Sequence, residues 1–200
     1  MKKRGRPREF DEEAVVASME ALFWQQGLAA TSLDDIAKTT GLNRPSLYSA
    51  FGSKVDMYLL CLNAFAKRMT DLFQAAFDQS NTLEDALNDL FSSLIATYYC
   101  ESDKTFGLGC LVFSNAVVEA PTNERVQSMI ESTLDVIRKS VRTSIIKRLP
   151  NVDEETLSMV TELSLSTFLG LGIQIRSGVN RVDIESSARN SVKAVGRLLA

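Results

Sequence analysis

The stretch TGLNRPSLYSAFGSK, from Thr40 to Lys54, constrains the fold of this chain more than any other. It sets Gly41, Asn43, Pro45 and Gly52 around an apolar trio, Leu47, Tyr48 and Phe51. Breakers at this density usually mark a loop, yet Leu47 and Phe51 are spaced i, i+4, as on one helix face. A short helix between two sharp turns satisfies both signals. Gly41 supplies the left-handed residue that a tight turn needs. Asn43 can accept a backbone N–H as an N-cap. Pro45 sits in the first turn, where its missing N–H costs nothing. Arg44 precedes proline and so resists the helical region, which places the start at Asn43 or Arg44. Gly52 stops the helix, and Ser53, with Asp56 three residues on, opens the next.

The preceding segments complete a unit. Asp11 caps a helix running through Gln26, with Val15, Met19, Leu22 and Phe23 as its buried stripe. Gly27 ends it. Ser32 and Asp35 form a capping box in which Asp replaces the usual Glu or Gln. Leu33, Ile36 and Ala37 are the inner face of that second helix. Two short helices joined by a glycine turn, packed on a longer first helix, make a helix-turn-helix. Its second short helix can enter a major groove with Arg44, Ser46, Tyr48, Ser49 and Ala50 outward, where Arg suits guanine and Tyr suits phosphate. Periodicity alone also permits a plain three-helix packing unit.

The rest of the chain reads as helix. One long helix runs from Ser53 to about Asp78. A second, capped by Thr82, runs from Leu83 to about Cys100. After a loop, the very apolar CLVFSNAVVEA predicts a short buried central helix ended by Pro121. Further helices are expected over Thr122 to Leu149, Asp153 to Arg176 and, capped by Asp183, to the C-terminus. The fold class is all-α.

Charge and composition narrow the function. The formal net charge of −3 does not suggest nucleic acid, but its distribution does. Residues 1–8 hold Lys2, Lys3, Arg4, Arg6 and Arg8 without an acid, ahead of an acidic body. A local basic arm of this kind is a nucleic-acid signature, and equally that of a solvated tail. The chain has no histidine, and its three cysteines, Cys61, Cys100 and Cys110, form no C-x-x-C pair. The commonest general base, a zinc site and a disulfide framework are therefore not indicated, and no phosphate-cradling glycine loop is present. No metal, no cofactor and no enzymatic activity are expected. The basic start lacks a following apolar segment, and no long apolar run appears, so neither a signal peptide nor a membrane partner is expected, and the expected location is cytoplasmic.

GLAATSLDDIAKTTGLNRPSLYSAFGSKVDMYLLCL resembles the DNA-binding domain of TetR/AcrR-type bacterial transcriptional regulators. The likeness covers roughly residues 10–60: the glycine and Thr-Ser entering the second helix, DIA, the glycine turn, LY and F on the third helix, and a lysine opening the fourth. The rest of the chain is similar only in helical pattern and length. The resemblance implies three parts: a basic arm over 1–9, a helix-turn-helix DNA-binding domain over 10–56, and a helical ligand-binding and dimerisation domain over 57–200. It implies a homodimer that binds a palindromic double-stranded DNA operator and is released by a small-molecule effector, here unidentified. Carried onto this chain, base contacts fall to Arg44, Pro45 and Ser46, and phosphate contacts to Thr31, Tyr48 and Lys54. Ala50 stands where many relatives carry a larger residue.

The arm's R-G-R-P core is similar to an AT-hook, which places arginines in a narrow minor groove; Arg4, Arg6 and Arg8 are its DNA-binding candidates. Family architecture puts the dimer bundle in the last two helices, making Leu165, Phe168, Leu169 and Ile173 interface candidates, with intramolecular core the competing reading. Phe91, Tyr98, Phe106, Cys110 and Phe113 are candidates for lining the ligand pocket; aromatics at helical spacing also describe plain core. Cys110, opening the central helix, is either a thiol activated by that helix N-terminus or a small buried apolar residue. An architectural DNA-binding protein without an effector is the alternative function, and the acidic body argues against it.

Overall fold

A computed structural model describes residues 10–99 and 107–199. Among the described residues there are eight α-helices: α1 Glu12–Ala30, α2 Leu33–Thr40, α3 Arg44–Phe51, α4 Lys54–Gln79, α5 Leu83–Tyr98, α6 Glu124–Arg148, α7 Glu154–Arg176 and α8 Arg181–Leu198. No strand occurs among the described residues; Tyr99 and Gly107 make one isolated antiparallel bridge. The chain divides after Leu62, inside α4, into two compact units.

In the N-terminal unit the helix ends follow the capping chemistry. Asp11 accepts from the Glu13 and Ala14 amides at the start of α1. Gly27, at φ 79° and ψ 175°, breaks α1 before its last residues. Ser32 and Asp35 form a reciprocal capping box on α2, and Gly41 closes that helix in the left-handed region. Asn43 caps α3, and Gly52 ends it at φ 79°. A side chain there would be strained and would press on the Asp56 carboxylate. Asp56 in turn accepts from the Ser53 amide and hydroxyl. Met19, Phe23, Ile36, Leu47, Met57 and Tyr58 are fully buried, and Phe23 meets Tyr58 edge-on with centroids 5.0 Å apart. Each apolar residue of this kind contributes about 1.5–3 kcal/mol on burial.

In the C-terminal unit α7 packs on α6 and α8, and α5 packs on α8. Phe168 of α7 stands edge-on to Phe73 of α4 at 5.2 Å and to Phe113 at 5.6 Å. Phe168 and Leu165, both expected at a dimer interface, are therefore protomer core, 1% and 3% exposed. The outward face of α7 instead carries Met159, Ser166 and Ile173, seven residues apart, beside half-buried Leu169. The α7 helix is also the one described helix with the length and mean hydropathy, 1.3 over 18 residues, to cross a membrane, although no unbroken apolar run exists. Val160, Leu165, Phe168 and Leu171 raise that mean, and all four are buried.

Two sequence expectations are corrected. The segment after Gly109 is not a central α-helix: a π turn over Leu111–Asn115 is followed by 3-10 turns over Ala116–Val118 and Ala120–Thr122. Side chains cap its first turn, as at the starts of the α-helices. The Cys110 amide donates to Ser114 Oγ, and the Phe113 amide donates to Cys110 Sγ. Close packing on α7 adds to this, since a Cβ on Gly109 would collide with the Gly172 carbonyl and one on Gly107 with Ile175. The cap of α8 is Asn180 rather than Asp183; Asn180 accepts from the Asp183 amide at 3.0 Å.

Candidate nucleic-acid interface

The α3 helix presents a continuous polar face. Leu47 and Phe51 are buried beneath it, while Arg44, Pro45, Tyr48 and Ser49 are exposed and Ser46 and Ala50 are half-exposed. The first turn holds Arg44, Pro45 and Ser46 together, because Asn43 Oδ1 accepts from the Ser46 amide at 2.9 Å. Tyr48 is 50% exposed, unusual for an aromatic of a small core. These side chains stand on a short helix fixed at both ends, so they reach outward from a rigid support.

Arg44 is not idle on this face. Its Nε donates to Asp34 Oδ1 at 2.8 Å, and a second bond joins its Nη2 to Asp34 Oδ2. This fork-to-fork pair bridges α2 and α3 across the glycine turn, and it raises the guanidinium pKa further above its ordinary value. Nothing local in the sequence marks Asp34 as a partner of Arg44. Its separation of ten residues crosses a turn, so no helix periodicity pointed to it. Both side chains are largely solvent-exposed, so the pair can open toward a different acceptor. On α2 the Asp35 carboxyl is held below its ordinary range by its bonds to Ser32.

Thr31 and Lys54, expected at phosphates, are engaged inside the unit. Thr31 is 1% exposed, and its hydroxyl donates to the Gly27 carbonyl at 2.6 Å. The Lys54 ammonium donates to the carbonyls of Leu28 and Thr31, both at 2.8 Å. These carbonyls flank the end of α1, where backbone acceptors lack intrahelical partners. Lys54 thus ties the start of α4 to the end of α1. Residues 10–62 carry only Lys38, Arg44 and Lys54 as cations against seven acids. With Lys54 and Arg44 occupied, Lys38 is the exposed cation of the unit not engaged in a described ion pair. Arg4, Arg6 and Arg8 lie outside the described residues.

The described pocket candidates of the C-terminal unit are core. Phe91, Tyr98, Cys110 and Phe113 are each 6% exposed or less, and Phe106 lies outside the described residues. Tyr98 Oη is buried without a hydrogen-bond partner. Burial, with Cys110 beside it, pushes that phenol well above its ordinary pKa. Burial also pushes the Cys110 thiol up, outweighing the amide bond from Phe113. Of the two readings of Cys110, the structure carries the small buried residue: the sulfur is desolvated and no α-helix begins there. Cys100 lies outside the described residues. Of the candidates, Phe91 alone reaches a described cleft, one of about 400 Å³ between α5 and α8.

Comparison with known proteins agrees with this arrangement. Residues 16–61 match the family profile "Bacterial regulatory proteins, tetR family". The chain is 27% identical over 183 residues to the HTH-type transcriptional repressor ComR of Escherichia coli (strain K12), covering 90% of this chain and 86% of that protein. It is 41% identical over 61 residues to the HTH-type transcriptional repressor BdcR of the same organism, 30% of this chain and 31% of that one. A cysteine mutant of the TetR family regulator CifR, solved with 26-base-pair operator DNA, shares the fold at a TM-score of 0.84 and 21% identity, over 95% of this chain and 99% of that one. Reduced NemR from E. coli aligns at a TM-score of 0.72 and 18% identity, over 92% of this chain and 94% of that one. The helix-turn-helix unit, over residues 16–61, carries the sequence signature of the TetR family of bacterial regulatory proteins, and the whole chain shares the fold of TetR-family regulators.

Proposed function

We propose that the protein is a homodimeric repressor that binds a palindromic operator and is released by a small molecule. The observation that carries this reading is the fixed, outward first turn of α3, where Arg44, Pro45 and Ser46 stand together over a buried Leu47. Arg44 exchanges Asp34 for a guanine edge, Ser46 reaches a neighbouring base, and Tyr48 reaches phosphate. Thr31 and Lys54 hold the unit in shape. The domain itself is acidic, so the arm over 1–9, with Arg4, Arg6 and Arg8, supplies most of the phosphate attraction. The relatives ComR and BdcR are named repressors, and CifR was solved on operator DNA, which supports the same sign and target here.

The dimer uses the outward face of α7, Met159, Leu169 and Ile173 around Ser166, with α8 beside it; Leu198 is 40% exposed there. The domain over 57–200 receives the effector, the domain over 10–56 reads DNA, and the protein works in the cytoplasm. The test is light scattering of the free and DNA-bound protein. A homodimer, two chains per palindrome and loss of binding when about 5 base pairs are inserted between half-sites support the reading, because half a helical turn rotates one site away. A monomer indifferent to that insertion defeats it.

A further inference from the structure

We infer that the cleft between α5 and α8 is a binding site for a small amphipathic carboxylate. The cleft holds about 400 Å³, within the range of small-molecule sites. Phe91 and Ile95 form its apolar floor and are each 2% exposed. Arg181, Glu185 and Arg189 rise on the α8 wall, with Asn88 and Ser92 opposite on α5.

The cations of the α8 wall are not equivalent. Arg181 is already paired: its Nε donates to Glu185 at 2.9 Å, and its guanidinium lies 5.8 Å from the Tyr99 ring centroid. Tyr99 is itself fixed, its hydroxyl donating to the Val179 carbonyl at 2.9 Å. Arg189 comes no closer than 4.0 Å to the same carboxylate, beyond hydrogen-bond range, with 58% of its side chain exposed. Among the described residues its N–H donors are unspent, as are the Asn88 amide and the Ser92 hydroxyl across the cleft. Two cations facing one lining carboxylate leave one positive charge in excess.

That excess suits a monoanion rather than a dianionic phosphate. A planar guanidinium fork binds a carboxylate through two parallel bonds. The floor offers no hydrogen bond, so the remainder of the ligand is apolar, an aryl or branched alkyl body lying on Phe91 and Ile95. The wall on which Arg189 stands lies toward α5, distinct from the outward α7 face assigned to dimerisation.

The probe is 3-phenylpropionate, titrated into the full-length protein and followed by calorimetry and by the Ile95 methyl resonance. The neutral 3-phenylpropanol and inorganic phosphate serve as controls. The acid is expected to shift the Ile95 methyl and to bind about tenfold or more tightly than the alcohol, the factor for one charge-assisted pair. Phosphate is expected not to compete. Arg189→Gln, a surface change that leaves folding intact, is expected to reduce acid affinity by a similar factor. Ser92→Trp, which fills the cleft, is expected to abolish the Ile95 shift. Equal binding of acid and alcohol, competition by phosphate, unchanged affinity in Arg189→Gln, or no shift at Ile95 each overturns the proposal. Every readout is direct binding without DNA, so the result is independent of operator recognition.

Discussion

Lys54→Met removes one ammonium and keeps the apolar stem, so it isolates the two bonds to the Leu28 and Thr31 carbonyls. Bonds to a charged group contribute roughly 1.5–3 kcal/mol net. The two carbonyls are only part-buried, so water replaces the lost donor and the two contributions do not simply add. A destabilisation of about 2 kcal/mol is expected. In urea, with a slope of about 2 kcal/mol per molar, the midpoint falls by about 1 M. The comparison is made at one protein concentration, because self-association would couple stability to concentration. The same variant is titrated with DNA across a salt series. With the ammonium turned into the unit, the slope of log K against log salt stays at the wild-type value. A phosphate contact would instead lower the slope by about 0.9. An unchanged urea midpoint together with a flattened salt slope would refute the reasoning.

Deleting residues 2–8 removes five cations, so DNA affinity falls and the salt slope flattens; the loss is larger on sites flanked by A·T runs if the arm enters the minor groove, as competitive binding on two flanked probes will report. Burial raises the Cys110 thiol, so its stabilising share is whole below the ordinary thiol pKa of about 8.5 and is lost as pH climbs from there through the raised folded value. Cys110→Ser is therefore expected to lessen alkaline destabilisation in urea melts at pH 8 to 10, and to leave electrophile-induced DNA release unchanged. Gly109→Ala puts a Cβ against the Gly172 carbonyl at φ 64°, and a loss of about 1–3 kcal/mol is expected by the same melts at neutral pH.

The helix-turn-helix was legible because its signals are local. Asp11, Ser32, Asn43 and Gly52 each act within four residues of their own position, and each caps or ends the helix the sequence indicated. The same holds for Thr82 and Asp153. What escaped depends on residues far apart in the chain. The Arg44–Asp34 pair, the Lys54 tether and the contact of Gly109 with Gly172 each join positions brought together only by packing. The apolar run after Gly109 looked helical because hydrophobicity alone cannot distinguish an α-helix from wider and tighter turns. Leu165 and Phe168 carry no local mark that separates core from interface, because apolar residues serve both. The spacing of Met159, Ser166 and Ile173 was the available sign of the outer face. Phe91 was singled out for a different pocket, and the arginines of α8 beside it carried no motif.

The central claim is that the first turn of α3 reads sequence. Selection of bound DNA from a random pool, run in parallel with wild type and Arg44→Ala, tests it most directly. Wild type is expected to return a palindrome with half-site centres about 34–36 Å apart, or a multiple of that. Arg44→Ala is expected to return the same palindrome with one position per half-site relaxed, and to bind the wild-type site about 10- to 100-fold more weakly. A wild-type pool without a consensus, or an identical consensus from both proteins, would contradict the account.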